Sequence, residues 1–409
     1  MGPIIILDKS TFQSLSYREH LFLNKHFYEN NTPILCIELL GDLSKYKSNF
    51  KRGKQKVTEL SKKFGGSGPV TNCDYRTLCV CSLLGQQIPL DGRIVPDNYT
   101  PIRSPDGTTG GIIDLGPFNK AIMRWSTGDF HGYEMIISRY WRKITKNLNL
   151  SDLSEQLEKE YVIIPRVNNK EDILPALNRI IDNTNLQSVF FSWILTQMQV
   201  DKKCYRDIKS RWSRSKKIYL EYFAPYAWYC TKVMLIFIIA TRSKLIGWKP
   251  TNLLDLQYLY YLPFCMVFAS SDKLHQYLAP LLIRDDQDFV GGEELKKDLK
   301  KIANRWDVYN ERQKKLLSYA LGSYPFPDKE SIVYKLWKSH MKSWHPDGGN
   351  LAVELSESEK QEANEWANNM FKKVEGKYYP FQDFLLLKII ILVKKSLKCL
   401  IKVYYGGIV

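Results

Sequence analysis

The 409-residue sequence predicts an α/β fold with a central parallel sheet. First, Ile4–Leu7 and residues 265–269 are short and entirely apolar, as strands buried on both faces of a sheet are. Second, each of these runs is soon followed by an aspartate and a helical pattern. Third, helical segments separate the two runs, as expected when crossovers join parallel strands.

The N-terminal region alternates strand and helix patterns. After the strand at Ile4–Leu7, residues 16–28 have the apolar spacing of a helix. We expect residues 33–36 to form a second strand, which leads into Glu38.

The composition then changes. Residues 45–63 are rich in lysine, and residues 64–117 are rich in glycine, proline, aspartate and threonine, which is typical of irregular structure. Helical pattern returns at residues 120–145 and 151–160. This stretch therefore reads as an insertion or subdomain.

Three more helices are predicted at residues 186–200, 205–217 and 225–241. The second has a run of basic side chains, namely Arg206, Lys209, Arg211, Arg214, Lys216 and Lys217. Such a run is either a solvated face or a face that binds phosphate.

A helix and a strand in the next stretch both carry an acid. Residues 253–262 are helical in pattern, with Asp255 in the first turn, and Pro263 ends them. The strand at residues 265–269 runs on towards Asp272. The remaining predicted elements are a helix at residues 273–282, an edge strand at Phe289 and Val290, and a helix at residues 293–303. We thus divide the chain into a split core at residues 1–45 and 186–303, an insertion at residues 46–185, and a mainly helical C-terminal region at residues 304–409.

The charge of the chain favours polyanionic partners. The sequence has 59 Lys and Arg against 43 Asp and Glu, a formal net charge of +16. RNA, DNA or an acidic membrane surface would complement that excess, although a basic, merely soluble surface has the same composition. The longest apolar segments, residues 233–240 and 384–393, are too short to cross a bilayer, so we expect no membrane. Eight scattered cysteines without a secretory signal peptide predict a cytoplasmic location.

Four acids occupy positions from which they could converge, namely Asp8, Glu38, Asp255 and Asp272. In a parallel sheet the ligand crevice lies beyond the carboxyl ends of the strands, where Asp8 and Asp272 would sit. Carboxylates that close repel one another unless a hard cation lies among them, so the pattern predicts a Mg²⁺ or Mn²⁺ site. Either aspartate alone could instead be a helix N-cap. Asp42 competes with Glu38, because on a helix it would lie one turn further along the same face.

These segments resemble the PIN-like nuclease domain. The resemblance lies in Ile-Ile-Leu-Asp8, Ile-Glu38-Leu-Leu, Leu-Leu-Asp255-Leu and Ser-Ser-Asp272-Lys273, and covers about residues 3–45 and 186–303. It implies a three-layer α/β/α core in which the four acids bind one or two divalent cations and cut single-stranded RNA or DNA. Ordinary members are compact, whereas a long insertion separates Asp8 from Asp255 here.

A second resemblance lies near the C-terminus. Trp344, His345, Pro346 and Asp347 follow a predicted helix at residues 330–343, as in the J-domain hairpin of Hsp70 co-chaperones. Lys335, Lys338, Lys342 and Trp337 match that family's basic helix, and residues 320–322 match the end of its first helix. Gly348 replaces the family's usual lysine, and a helix ended by Pro346 explains the same residues.

The sequence therefore predicts a metal-dependent nuclease with Asp8, Glu38, Asp255 and Asp272 as catalytic and metal-binding residues. The predicted nucleic-acid contacts are Lys273, Arg206, Lys209, Arg211 and Arg214. The partner would be RNA or single-stranded DNA, and formation of a homo-oligomer is left open. The alternatives are a non-catalytic nucleic-acid-binding or adaptor protein, and a chaperone adaptor acting through His345 and Asp347.

Overall fold

A five-stranded, all-parallel sheet lies at the centre of the computed structural model. The structure describes residues 2–46, 49–64, 70–96, 99–103, 109–113, 116–146, 162–198, 200–215 and 219–341. Its strands are β1 (Ile4–Leu7), β2 (Tyr28–Asn31), β3 (Val70–Thr71), β4 (Tyr99–Arg103), β5 (Thr109–Ile113), β6 (Val267–Ser270) and β7 (Asp288–Gly291). The sheet has the order β3-β2-β1-β6-β7, and β4 and β5 form a separate antiparallel pair.

Helices account for most of the described residues. They are α1 (Lys9–Ser14), α2 (Tyr17–His26), α3 (Pro33–Gly41), α4 (Phe50–Ser61), α5 (Tyr75–Leu83), α6 (Pro117–Ser126), α7 (Gly132–Lys146), α8 (Ile173–Ile181), α9 (Gln187–Met198), α10 (Lys202–Arg214), α11 (Leu220–Phe223), α12 (Pro225–Arg242), α13 (Asn252–Leu259), α14 (Lys273–Leu278), α15 (Gly292–Asp307), α16 (Glu311–Leu321) and α17 (Ile332–His340). The predicted α/β class is confirmed.

The two strands predicted from apolar runs pair side by side. Leu7 of β1 lies opposite Ala269 of β6, and the backbone N–H of Asp8 donates to the Ala269 carbonyl at 3.2 Å. Ile5, Ile6 and Phe268 are completely or almost completely buried, so burial of apolar side chains stabilises the centre of the sheet. β7 forms the edge beyond β6, as predicted.

The predicted second strand at residues 33–36 is wrong, because these residues begin α3. Thr32 caps this helix through its side chain, which accepts from the N–H of Leu35, and Pro33 occupies the first turn. The true second strand is β2, which directly precedes the cap. Glu38 consequently lies on a helix rather than after a strand.

The segment expected to be an insertion contributes to the central architecture. β3 pairs with β2 in the sheet, and buried side chains of α5, including Leu78, Cys79 and Leu83, belong to the main hydrophobic core. Residues 151–160, predicted to be helical, lie outside the described part of the chain. Among the helices that the structure describes, none is both long and apolar enough to cross a bilayer.

Candidate functional site

The strand order reverses between β1 and β6. From β1 the chain adds β2 and β3 on one side, and it then returns to add β6 and β7 on the other. In parallel sheets such a switch opens a crevice at the carboxyl ends of the two central strands, and ligands bind there. Asp8 directly follows β1, and Asp272 follows β6 with only Ser271 between.

Asp8 and Asp272 both cap the helix that follows their strand. Asp8 is buried, and its Oδ1 accepts from the N–H of Thr11 at 3.0 Å. Asp272 Oδ1 accepts from the N–H of Leu274 at 2.7 Å. The capping interpretation is thus confirmed for both residues. A cap uses only part of a carboxylate's acceptor capacity, so it does not prevent metal binding.

Glu38 reaches the same region from α3. Its Oε2 accepts a hydrogen bond of 2.6 Å from the hydroxyl of Tyr258 on α13. Burial raises the pKa of Glu38, whereas the positive charge of Lys9 and the Tyr258 hydroxyl lower it. The negative charges of Asp8 and Asp42 also raise the pKa of Glu38.

The pKa of Asp255 is affected by the charges of the other three predicted acids. It lies in the first turn of α13, and its pKa is raised to about 8. Burial is the largest cause, followed by the negative charges of Asp272, Glu38 and Asp8. Like charges raise a carboxyl pKa only over short distances. The four acids are therefore in one electrostatic environment, which we call the acid cleft.

Asp42, the competitor of Glu38, is occupied by other partners. Lys9 Nζ lies 3.0 Å from Asp42 Oδ1, and Gln13 Nε2 donates to Asp42 Oδ2 at 3.0 Å. Because its charge is compensated, Asp42 is a weaker candidate ligand than Glu38.

Two side chains of the acid cleft could not be assigned a role from the sequence, Tyr258 and His275. His275 is fully buried, and its Nε2 lies 2.7 Å from the carbonyl oxygen of Asp255. Since a carbonyl only accepts, Nε2 donates, and Nδ1 meets the Ser270 hydroxyl at 2.7 Å. Nδ1 is also 3.9 Å from Asp8 Oδ2. The signal for Tyr258 is its spacing of three residues from Asp255, which puts both on one helix face.

The donor set suits a hard divalent cation, because carboxylate oxygens are the ligands that Mg²⁺ and Mn²⁺ prefer. Across the described ranges, however, no group of three or more His, Cys, Asp or Glu side chains lies close enough to hold a metal ion. Mutual repulsion separates carboxylates that have no cation between them. Binding a metal would therefore require the side chains to move closer together and Asp255 to lose its proton.

The predicted nucleic-acid contacts have different environments. Lys273 is exposed beside Asp272, and Arg206, Lys209 and Arg214 are exposed on α10. Arg211, in contrast, is half-buried. Its guanidinium donates to the carbonyls of Leu83 and Phe223, both at 2.8 Å, and lies 3.9 Å from the centre of the Phe223 ring. Arg211 therefore joins α10 to α5 and α11, which makes it a weaker candidate for a phosphate contact than the exposed side chains of α10.

The J-domain resemblance is tested only in part, since Lys342 and residues 344–348 lie outside the described residues. α16 ends at Leu321 before Gly322, as predicted. Trp337 is buried, and its Nε1 donates to the carbonyl of His26 at 2.6 Å. α17 is thus packed on the core through Trp337.

Comparisons of this chain with protein-family models, with curated proteins and with solved structures found no match.

Proposed function

We propose that this protein is a metal-dependent nuclease with an elaborated PIN-like, three-layer core that hydrolyses phosphodiester bonds of single-stranded RNA or DNA. The main support is the placement of Asp8 and Asp272 at the strand-order reversal, together with a pKa of Asp255 raised first by burial and then by the charges of the other three acids. At Asp255, burial and neighbouring negative charge both disfavour the ionised carboxylate, which points to a functional rather than a structural role for this position.

The residues of the acid cleft have separate roles in this proposal. Asp8 and Asp272 are anchored by their caps, so they would present the fixed ligands for Mg²⁺ or Mn²⁺. Glu38 and Asp255 would complete the set. Such a cation can generate hydroxide and stabilise in-line displacement at phosphorus. Lys273, exposed next to Asp272, would contact a substrate phosphate as a point charge.

A non-catalytic nucleic-acid-binding protein is the second candidate. It is favoured by one observation, which is that no group of three metal-binding side chains is close enough to hold an ion among the residues that the structure describes. That protein would bind nucleic acid in a salt-sensitive manner without a metal, and binding would survive loss of the acids.

Cleavage assays with Mn²⁺ and Mg²⁺ on single-stranded RNA and DNA test the proposal. We expect the wild type to cut at least one of them, and Asp8→Asn combined with Asp272→Asn to abolish cleavage. Asp42→Asn is a matched control, because it removes an acid that is compensated by Lys9. If wild type leaves both substrates intact, or the double variant cuts as well as Asp42→Asn, the protein is not this nuclease.

A further inference from the structure

Helix α15 begins against the acid cleft. A Cβ on Gly292, its first residue, would lie 2.2 Å from Thr11 Oγ1 and 2.3 Å from Ser271 Oγ. Thr11 donates its N–H to Asp8, and Ser271 immediately precedes Asp272. Only glycine permits this close approach, so the sequence places the start of α15 directly beside the two anchored acids.

The exposed face of α15 is basic beyond its first turn. Lys297, Lys300, Lys301 and Arg305 are all exposed. The acid within this stretch, Asp298, is buried, and its Oδ2 accepts from the hydroxyl of Ser331 at 2.8 Å and from the N–H of Val333 at 2.9 Å. We call Lys297, Lys300 and Lys301 the α15 basic face. At 1.5 Å per residue, it lies about 8 to 14 Å along the helix from Gly292.

The lysines of the α15 basic face form no close ion pair with a described residue. Some basic side chains on the surface do pair locally, as Arg284 does with Asp286 and Lys314 with Glu311, both at 2.8 Å. The exposed acids nearest to the face along the helix are Glu293 and Glu294, one turn before Lys297. Among the residues that the structure describes, no ion pair within 4 Å involves the three lysines of the face. A surface with positive charges that are not in ion pairs attracts an anionic partner.

Positive charge from α15 also reaches the buried Lys63. Its pKa is lowered to about 8, first by burial and then by the charge of Lys56 on α4, with Lys296 on α15 acting in the same direction. Glu19 and Glu59 act in the opposite direction, so charges of both signs surround Lys63.

Glu293 and Glu294 occupy the first turn of α15 and disfavour an anion at its N-terminus itself. Because Lys297, Lys300 and Lys301 are spread along more than one turn, a partner with phosphates spaced along a chain matches them better than a single anionic group does. A single strand of RNA or DNA has this chemistry, and basic grooves follow such backbones.

We propose that the α15 basic face binds the phosphate backbone of the single strand that enters the acid cleft. This inference rests on the proposed nuclease function and names the surface that holds the substrate. We prefer it to α10 as the main contact, because Gly292 places the start of α15 against Thr11 and Ser271, beside Asp8 and Asp272.

The test measures binding of fluorescent 20-nucleotide RNA and DNA strands by anisotropy in EDTA, between 50 and 300 mM KCl. For single strands, each lysine–phosphate pair adds about 0.7 to the steepness of log K against log salt, so Lys297→Gln/Lys300→Gln/Lys301→Gln should flatten the slope by about 2. We expect affinity to fall about tenfold or more at low salt. The matched control, Arg206→Gln/Lys209→Gln/Arg214→Gln on α10, removes the same charge and should change the slope by less than half as much.

Equal slopes for the α15 variant and the wild type would overturn the inference, and so would a larger effect of the α10 variant. Binding to phosphatidylserine vesicles but not to either strand would also overturn it. Thermal unfolding of each variant verifies that it is folded. The nuclease proposal is judged separately, by Mn²⁺-dependent cleavage by the wild type. If the α15 variant loses strand binding while neither the wild type nor any variant cleaves, the α15 basic face binds a strand but the protein is not this nuclease.

Discussion

The hydroxyl of Tyr258 donates to Glu38 Oε2 at 2.6 Å, and this bond joins α13 to α3 across the acid cleft. The ring of Tyr258 also meets the edge of His275, with 5.6 Å between the centroids. Tyr258 therefore fixes the orientation of Glu38, one of the proposed metal ligands. Partners of this kind behind metal ligands commonly change metal affinity by about 10- to 100-fold.

Tyr258→Phe should weaken Mn²⁺ binding about tenfold, because Glu38 loses the donor that holds it. Isothermal titration of the metal-free protein measures this affinity. Tyr229→Phe is the control, since its hydroxyl also bonds within this region, to the carbonyl of Leu259 at 2.8 Å, without contacting an acid. If the two variants bind Mn²⁺ equally, Tyr258 does not position a ligand.

Asp255→Asn should stabilise the metal-free protein at alkaline pH. The folded pKa of Asp255 is about 8, against an ordinary value of 3.8, so the folded state binds more protons between these pH values. The free energy of unfolding contributed by this group therefore falls as pH rises from about 4 to 8. We expect a gain on the order of 1–2 kcal/mol at pH 8.5 and almost none at pH 4, from urea unfolding in EDTA. A gain that is independent of pH would contradict this assignment.

Arg211→Ala should destabilise the fold by about 2–3 kcal/mol, because the carbonyls of Leu83 and Phe223 lose a charged donor. Arg214→Ala, at an exposed position on the same helix, should cost less than about 0.5 kcal/mol. Urea unfolding of the two variants is the measurement. Similar stabilities, with weaker strand binding for Arg211→Ala alone, would restore Arg211 as a phosphate contact.

Lys63→Met should also destabilise the protein, by about 2–3 kcal/mol. Lys63 Nζ donates to the carbonyls of Phe12, Gln13 and Leu15, and so completes the end of α1, the helix that Asp8 begins. Lys62→Met removes an exposed lysine next to it and should have little effect. The measurement is the chemical-denaturation midpoint of each variant. Equal midpoints would show that Lys63 does not stabilise the end of α1.

Much of the central fold could be predicted from apolar pattern. The strand at Ile4–Leu7 has the predicted bounds, and β6 lies within two residues of its prediction. The strand predicted at residues 33–36, before Glu38, is wrong because an uninterrupted apolar run does not distinguish a buried helix from a buried strand. β2, with the sequence Tyr-Glu-Asn-Asn, was missed because asparagine is rare in strands.

Only those residues of the acid cleft that lie at the ends of strands or helices could be predicted from local sequence pattern. Asp8 and Asp272 follow apolar strands, so their position was readable. The contacts of Tyr258 with Glu38, and of His275 with Ser270 and the Asp255 carbonyl, join different elements of the fold. Such contacts depend on strand order, which the sequence did not specify.

The most direct measurement is anomalous diffraction at the manganese edge from crystals grown with Mn²⁺. Our account predicts a peak at the carboxyl ends of β1 and β6, within coordination distance of Asp8 and Asp272, and its loss in Asp8→Asn/Asp272→Asn. A manganese peak elsewhere on the molecule with none in the acid cleft would contradict the account.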